Sequence, residues 1–408
     1  MAKKTMAKKT IAHNERKHAL LAASHAERWL SCPPSARLEE KFKETCGYEE
    51  SSVYAEEGTL AHEFAELNLR LLSGSISQED FEIEAEKLRA HDLYTEEMEE
   101  HVEKYTSYVM EQFEAAKQIV PDPVLFIEEK LDFSSVVEEG YGTGDSGIIA
   151  DGVMEIIDYK YGRGVKVEAC ENPQLKLYAI GALRIYEMFY NIHTVKLTII
   201  QPRIDNYSSW EVSVKDLYKW AEEVVKPIAA KAYEGKGLQK AGEHCKFCLV
   251  KAMCATLAAK NIAMARHEFK DPQLLTEKQL IEIYKQIPML VDWANSVGEY
   301  LLKEAMNGKK VEGYKLVEGR SQRKWTDEDK VQEKLKEEGY PEDSYIKIQL
   351  KGISDIEKLV GKKSFSNLFS DLVVKPQGSP VLVPESDKRP EFNSLDKIRE
   401  EFGESSEL

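Results

Sequence analysis

The sequence predicts an α/β fold, a small mixed sheet flanked by helices, and three observations carry that prediction. Residues 19–118 have helical character, with Leu60, Phe64, Leu67 and Leu71 spaced along one helix side and no breakers in 95–118. Residues 124–214 then switch to short β-branched runs set around one helical stretch. The resulting order of helices, three strands, a helix and further strand closes a sandwich on a mixed sheet.

Each element follows from local composition. Val124–Phe133 is a β-type run after Pro121 and Pro123. Gly142–Ala150 is Gly-rich, then β-branched, and Val153–Tyr161 is a strand closed by Gly162 and Gly164. A tight turn at Asp151-Gly152 joins these two runs as a hairpin. Residues 173–190 are helical, Thr194–Gln201 (TVKLTIIQ) is a strong strand, Trp210–Val214 another, and Lys215–Tyr233 returns to helix. A long helix follows from Thr276, where Thr276 and Gln279 can form a capping box and Pro288 is expected to kink or interrupt it. Residues 310–372 read as a small α/β appendage with a strand at Tyr314–Val317, and 375–390 (KPQGSPVLVPESDKRP) as a proline-rich tail.

Bulk properties bound the rest. The chain has 408 residues, 42% hydrophobic and 31% charged, enough for a core and a well-solvated surface. No apolar run approaches the length of a membrane span, and the basic N-terminus, a near-duplication MAKKTMAKKT, lacks a signal peptide's apolar region. A cytoplasmic protein with a disordered basic arm is expected. The net charge of −16 argues against tight nonspecific binding to DNA, though a local basic groove would suffice to hold a nucleic acid.

The chemistry concentrates in GTGDSGIIADGVMEIIDYKYGRG, residues 142–164. Asp158 and Lys160 are two apart, so on a strand they share a face, and the hairpin brings Asp145 to Asp158. Two carboxylates are hard oxygen ligands suited to Mg²⁺ or Mn²⁺, and a lysine beside them can stabilise charge on a phosphate. By composition, roughly ten acid-x-base triplets arise by chance in such a chain, so Asp158-x-Lys160 alone is weak. Its context strengthens it: Gln174 and Tyr178 follow at i and i+4, on one helix face.

Three cysteines, Cys245, Cys248 and Cys254, form C-x2-C-x5-C and leave a four-coordinate site one ligand short. Cys32 is the best fourth ligand; His244 with zinc is the alternative. Cys46 and Cys170 read as free thiols. Arg203 suits a phosphate or a surface ion pair, Lys160, Arg163 and Lys166 form a small basic patch, and Tyr159 and Tyr161 suit the core or stacking on an unpaired base. Arg320, Arg323, Lys324 and Trp325 form a basic–aromatic cluster that reads as a solvated face.

Asp145, Asp158-Tyr159-Lys160, Gln174 and Tyr178 together resemble the RecB-type branch of the PD-(D/E)XK nucleases. The resemblance covers roughly residues 20–260 and implies a restriction-endonuclease-like core. It implies that Asp145 and Asp158 bind the metal, that Lys160 is catalytic, and that Gln174 and Tyr178 complete the site. Gly58-Thr59-Leu60-Ala61-His62 is similar to the family's upstream helix, which implies His62 as a third ligand through neutral imidazole. Cys32-Pro33 with the three later cysteines resembles the AddB and CRISPR-associated exonuclease type, which implies a structural [4Fe-4S] cluster on Cys32, Cys245, Cys248 and Cys254. The whole chain also resembles an uncharacterised phage and prophage family through its N-terminal half and its tail pattern at 375–390. That implies a phage recombination or replication setting, with DNA ends as substrate and phage recombination proteins as partners.

The expected function is therefore a Mg²⁺- or Mn²⁺-dependent DNA exonuclease. The competing expectation is a non-catalytic DNA-binding or assembly subunit that keeps the fold. The expected organisation is an arm at 1–18, a nuclease domain at 19–262, a helical and α/β appendage at 263–372 and a tail at 373–408.

Overall fold

A computed structural model describes residues 19–46, 53–265 and 276–314, with isolated positions at 336, 361 and 365. The expectations for the basic arm, the remainder of the strand after Tyr314, the cluster from Arg320 to Trp325 and the tail lie outside the described residues. Two compact units divide after Val317. The elements below belong to the first.

The chain opens with α1 (Ala26–Ser31) and α2 (Ser35–Cys46), followed by α3 (Val53–Leu72), α4 (Gln78–Arg89) and α5 (Glu96–Ile119). Helix α5 shows why these segments are helical. Thr95 caps it by accepting from the Met98 amide, and Glu96, Glu97 and Glu99 complement the positive end of the helix dipole. Its buried stripe of Met98, Val102, Tyr105 and Val109 recurs at helical spacing. Full burial of each such side chain contributes about 1.5–3 kcal/mol, so Val102→Asp would break the packing of α5 against α3.

Five strands follow: β1 (Val124–Asp132), β2 (Tyr141–Ile149), β3 (Gly152–Tyr159), then after α6 (Pro173–Tyr186), β4 (Ile192–Gln201) and β5 (Asn206–Ser213). They lie in the order β1-β2-β3-β4-β5. All neighbours are antiparallel except β3 and β4, which run parallel because α6 carries the chain across. This is the expected mixed sheet. Helix α7 (Val214–Trp220), a π turn at Ala221–Val225 and α8 (Lys226–Tyr233) complete the segment expected to be one helix. Helix α9 (Ala255–Ala265) spans the expected domain boundary at 262, and α10 (Glu277–Met306) follows. Thr276 and Gln279 form the expected capping box, and α10 continues through Pro288.

The sheet separates two cores. On one face α3, α4 and α5 bury Phe64, Met98 and Tyr105 against Ile148, Ile157 and Tyr159. On the other, α6, α7 and the π turn bury Leu177, Leu217 and Val225 against Phe126, Ile156 and Leu197. Residues that alternate along a strand thus meet different helices, and that alternation decides which side chains can share a site.

Candidate active site and cysteine clasp

The hairpin register builds the centre of the site. Ser146 pairs with Ile157, so Asp145 stands opposite Asp158 one step further along. Asp158 follows Met154 and Ile156 on the α6 face and is 2% exposed. Lys160 lies just past β3, anchored by its amide to the Ile200 carbonyl at 2.9 Å. Its Nζ is 2.9 Å from Asp158 Oδ2 and donates to Gln174 Oε1 at 3.2 Å. Gln174 Nε2 in turn donates to Asp158 Oδ1 at 3.1 Å and to the Tyr178 hydroxyl at 3.2 Å. Asn172 caps α6 through the Gln174 and Leu175 amides, which fixes where Gln174 begins its face.

From the opposite layer, His62 on α3 places Nδ1 3.4 Å from Asp145 Oδ1. The other Asp145 oxygen accepts from the Tyr159 amide at 2.7 Å. The structure therefore gathers all six residues expected at this site. The Gly-rich start of β2 has a packing reason: a Cβ at Gly142 would lie 2.7 Å from the Tyr178 ring, and one at Gly144 2.7 Å from Leu131.

Sequence reading missed Glu128. It faces Asp145 from β1, since Ile127 pairs with Ser146 and Glu129 with Gly144. Its backbone is left-handed, at φ 49°. Strand alternation slips here: Leu125 and Ile127 pack in the α3–α5 core, whereas Glu129 reaches Tyr186 on α6 at 2.7 Å. The same slip occurs in β2, where Gly142 and Gly144 face the α6 side but so do Gly147 and Ile149. Ligand atoms of His62, Glu128 and Asp145 lie within 4.8 Å of one another, and this is the one such trio among the described residues. Asp158 stands outside it. The available signal was two adjacent acids, Glu128 and Glu129, inside an apolar strand.

The charges are mutually dependent. Burial opposes the charge on Lys160, but Asp158 and Asp145 outweigh it and raise its pKa, so it stays an ammonium. Burial also opposes ionisation of Asp145, but His62 and Lys160 hold its carboxyl low. For Asp158 burial wins over Lys160, with Asp145 adding repulsion, and its pKa rises. Burial, then Asp145, pushes Glu128 up to about 8. His62 is raised: burial resists its charge, but Asp145 prevails.

Two flanking expectations resolve toward structure. Arg203 pairs with Glu57 at 3.1 Å and covers the Tyr161 ring, while Tyr159 and Tyr161 are buried. Gln201 holds the loop after Lys160, donating to the Gly162 carbonyl and to the Val165 carbonyl at 2.9 Å and accepting from the Val167 amide at 3.2 Å. Lys166 pairs with Glu168, and Cys170 is exposed.

Cys32, Cys245, Cys248 and Cys254 line one small cavity, joined by Arg28 and His244. Cys32, Cys245 and Cys248 are buried and Cys254 is half-buried. Cys32 follows α1, and the other three lie in the loop before α9. A buried pair between α1 and α2, Arg28 with Glu39 at 2.9 Å, reaches this later loop from the start of the domain. Glu39 also accepts from the Leu249 amide at 2.8 Å, and Arg28 donates to the Phe247 carbonyl at 2.9 Å. Burial, then Glu39, pushes the Cys248 thiol up to about 12. Helix α10 rests on this loop through Lys251 and Asp292 at 2.9 Å.

A five-stranded mixed sheet flanked by helices, with a hairpin-built acidic and lysine site, defines the class of molecule. The chain belongs to the family described as "Protein of unknown function (DUF2800)", whose model matches residues 18–390. That agrees with the expected uncharacterised family whose pattern runs to residue 390. A solved structure described as "Crystal structure of SSO0001" is similar at 14% identity, over 54% of this chain and 94% of that chain, with a TM-score of 0.22. No described helix is long and apolar enough to cross a membrane.

Proposed function

We propose that this protein is a Mg²⁺- or Mn²⁺-dependent deoxyribonuclease of the PD-(D/E)XK type, a RecB-like exonuclease that processes DNA ends. One observation carries the reading: the hairpin register sets Asp145 opposite Asp158 while Lys160 Nζ sits 2.9 Å from Asp158. The donor set suits a hard divalent cation, and Asp158 Oδ2 is buried with no hydrogen bond of good geometry. Asp145 and Asp158 would hold the ion, with His62 as a third ligand once its proton is displaced. When bound, the cation neutralises phosphate charge and acidifies the attacking water.

The chain's own residues do the rest. Lys160, kept an ammonium by its two acidic neighbours, stabilises the charge that develops on the non-bridging phosphoryl oxygens. Gln174 holds Lys160 and Asp158 in fixed relation, and Tyr178 offers its hydroxyl toward the backbone phosphate. The water oxygen bonds to phosphorus, the ester P–O bond breaks, and a proton passes to the departing oxygen. No covalent enzyme intermediate is needed.

We read the four cysteines, which line one cavity, as the ligands of a structural [4Fe-4S] cluster. His244 Nε2 meets the Lys240 carbonyl at 2.8 Å. Its partners in this reading are DNA ends and phage recombination proteins, in the cytoplasm of a bacterial host.

The test is digestion of single- and double-stranded DNA labelled at the 5′ or 3′ end, with Mg²⁺, Mn²⁺ or EDTA. Metal-dependent release of label is expected. Equal DNA binding with and without metal, and no product, would instead mark a non-catalytic assembly subunit.

A further inference from the structure

Glu128 is held at three simultaneous costs. Its backbone is left-handed at φ 49°, a conformation suited to glycine. It faces Asp145 directly across β1 and β2, so two carboxylates oppose each other. Among the described residues its own carboxylate meets no hydrogen bond or ion pair. Arg70, the nearby cation on α3, is taken by Glu66 at 2.5 Å. A structural role would supply a partner; this position supplies His62 and Asp145, with ligand atoms within 4.8 Å.

A second observation points to the same ligand. Asp158, 2% exposed, keeps Oδ2 without a hydrogen bond of good geometry, although Lys160 Nζ is near. With the protons of His62 and Glu128 lost to solvent, the three carboxylates of Glu128, Asp145 and Asp158 against the Lys160 ammonium leave two negative charges. One divalent cation cancels them.

We infer that Glu128 is a fourth protein ligand, and that the chain binds its divalent cation firmly before any DNA arrives. The inference rests on the nuclease reading above and adds a residue and an order of binding to it. Mg²⁺ holds its waters and is commonly bound by one or two carboxylates completed by substrate phosphates. A cradle of one imidazole and two carboxylates, with the Asp158 carboxylate beside it, instead favours Mn²⁺, which accepts nitrogen more readily. Preference for Mn²⁺ over Mg²⁺ in the free protein follows. His62 enters the cradle as neutral imidazole, and its proton leaves to solvent as the ion binds.

The experiment is Mn²⁺ titration of the DNA-free protein, followed by the loss of the free-ion electron paramagnetic resonance signal and by thermal shift. The natural chain should take up one Mn²⁺ and gain melting temperature from it. Glu128→Gln should weaken that uptake by about tenfold or more. Glu128→Gly, which suits the backbone, should melt higher than the natural chain in EDTA yet gain less from Mn²⁺. If both variants bind Mn²⁺ as the natural chain does while Asp145→Asn does not, Glu128 is no ligand and the nuclease reading stands. If the natural chain binds Mn²⁺ only when DNA is added, the order of binding is overturned, again without touching that reading. Absence of Mn²⁺ binding with or without DNA would overturn both.

Discussion

The acidic hairpin site and the cysteine clasp are built by opposite means. Asp145 and Asp158 are thirteen residues apart and meet because a two-residue turn at Asp151-Gly152 sets their register. Cys32 and Cys245 are separated by most of the domain and meet through Arg28, Glu39 and the loop before α9. The first arrangement spends stability, since it crowds carboxylates in a buried place. In the second, the proposed cluster would supply it, since a cross-link that closes a long loop removes entropy from the unfolded chain. Substitutions in the two regions should therefore separate activity from stability.

The largest effect is expected in the clasp. Cys248→Ser should remove one ligand, bleach the brown colour of anaerobically purified protein and lower its melting temperature by ten degrees or more, about several kcal/mol. Ultraviolet–visible absorbance and calorimetry read both; a colourless natural protein with one stoichiometric zinc would contradict the cluster. Next comes the hairpin. Lys160→Ala should cut the cleavage rate by about a thousandfold, about 4 kcal/mol, in single-turnover assays. Its melting temperature should fall far less than that of the cysteine variant. If both variants lost activity and stability in equal measure, the contrast between the regions would collapse.

Glu39→Ala should then cost about 3 kcal/mol in denaturant unfolding, because it strands a buried guanidinium and the Leu249 amide. Gly142→Ala should press on the Tyr178 ring, 2.7 Å from the new methyl, and cost about 1–2 kcal/mol. It should also lower cleavage by disturbing Gln174, which contacts the Tyr178 hydroxyl.

The remaining effect is electrostatic. Glu128 has its folded pKa raised from 4.5 to about 8 by burial first and Asp145 second. A raised carboxyl means that the folded state holds the proton longer than the unfolded chain. In EDTA its contribution to stability should therefore decline as pH rises from about 4.5 to about 8 and level off above. Glu128→Gln should flatten that slope in urea titrations across this range, and an unchanged slope would mean that Glu128 does not cause it.

What the sequence disclosed follows the same division. The hairpin was legible because Asp145 and Asp158 are symmetric about an Asp-Gly turn, and strand pairing is then a matter of counting. Gln174 and Tyr178 were legible because helix spacing alone puts them on one face, and the 3.2 Å contact follows. Cys32 was singled out by counting ligands, since no local pattern links residue 32 to 245, and it lines the same cavity as the three later cysteines. Glu128 escaped because the face slip at φ 49° breaks the alternation on which strand reading depends. Gln201 escaped because its role is to hold backbone carbonyls of a loop, which leaves no mark in residue spacing. The π turn between α7 and α8 has no composition signal distinct from helix.

The central claim is that hairpin register and Lys160 make a phosphodiester-cleaving site. Its most direct measurement is single-turnover cleavage of end-labelled DNA in Mn²⁺ by the natural chain, Asp158→Ala and Lys160→Ala, with DNA binding followed in parallel. The account predicts cleavage by the natural chain, its loss by about a thousandfold in both variants, and DNA binding within a few-fold of the natural level. Full cleavage by either variant, or none by the natural chain at equal DNA binding, would contradict it.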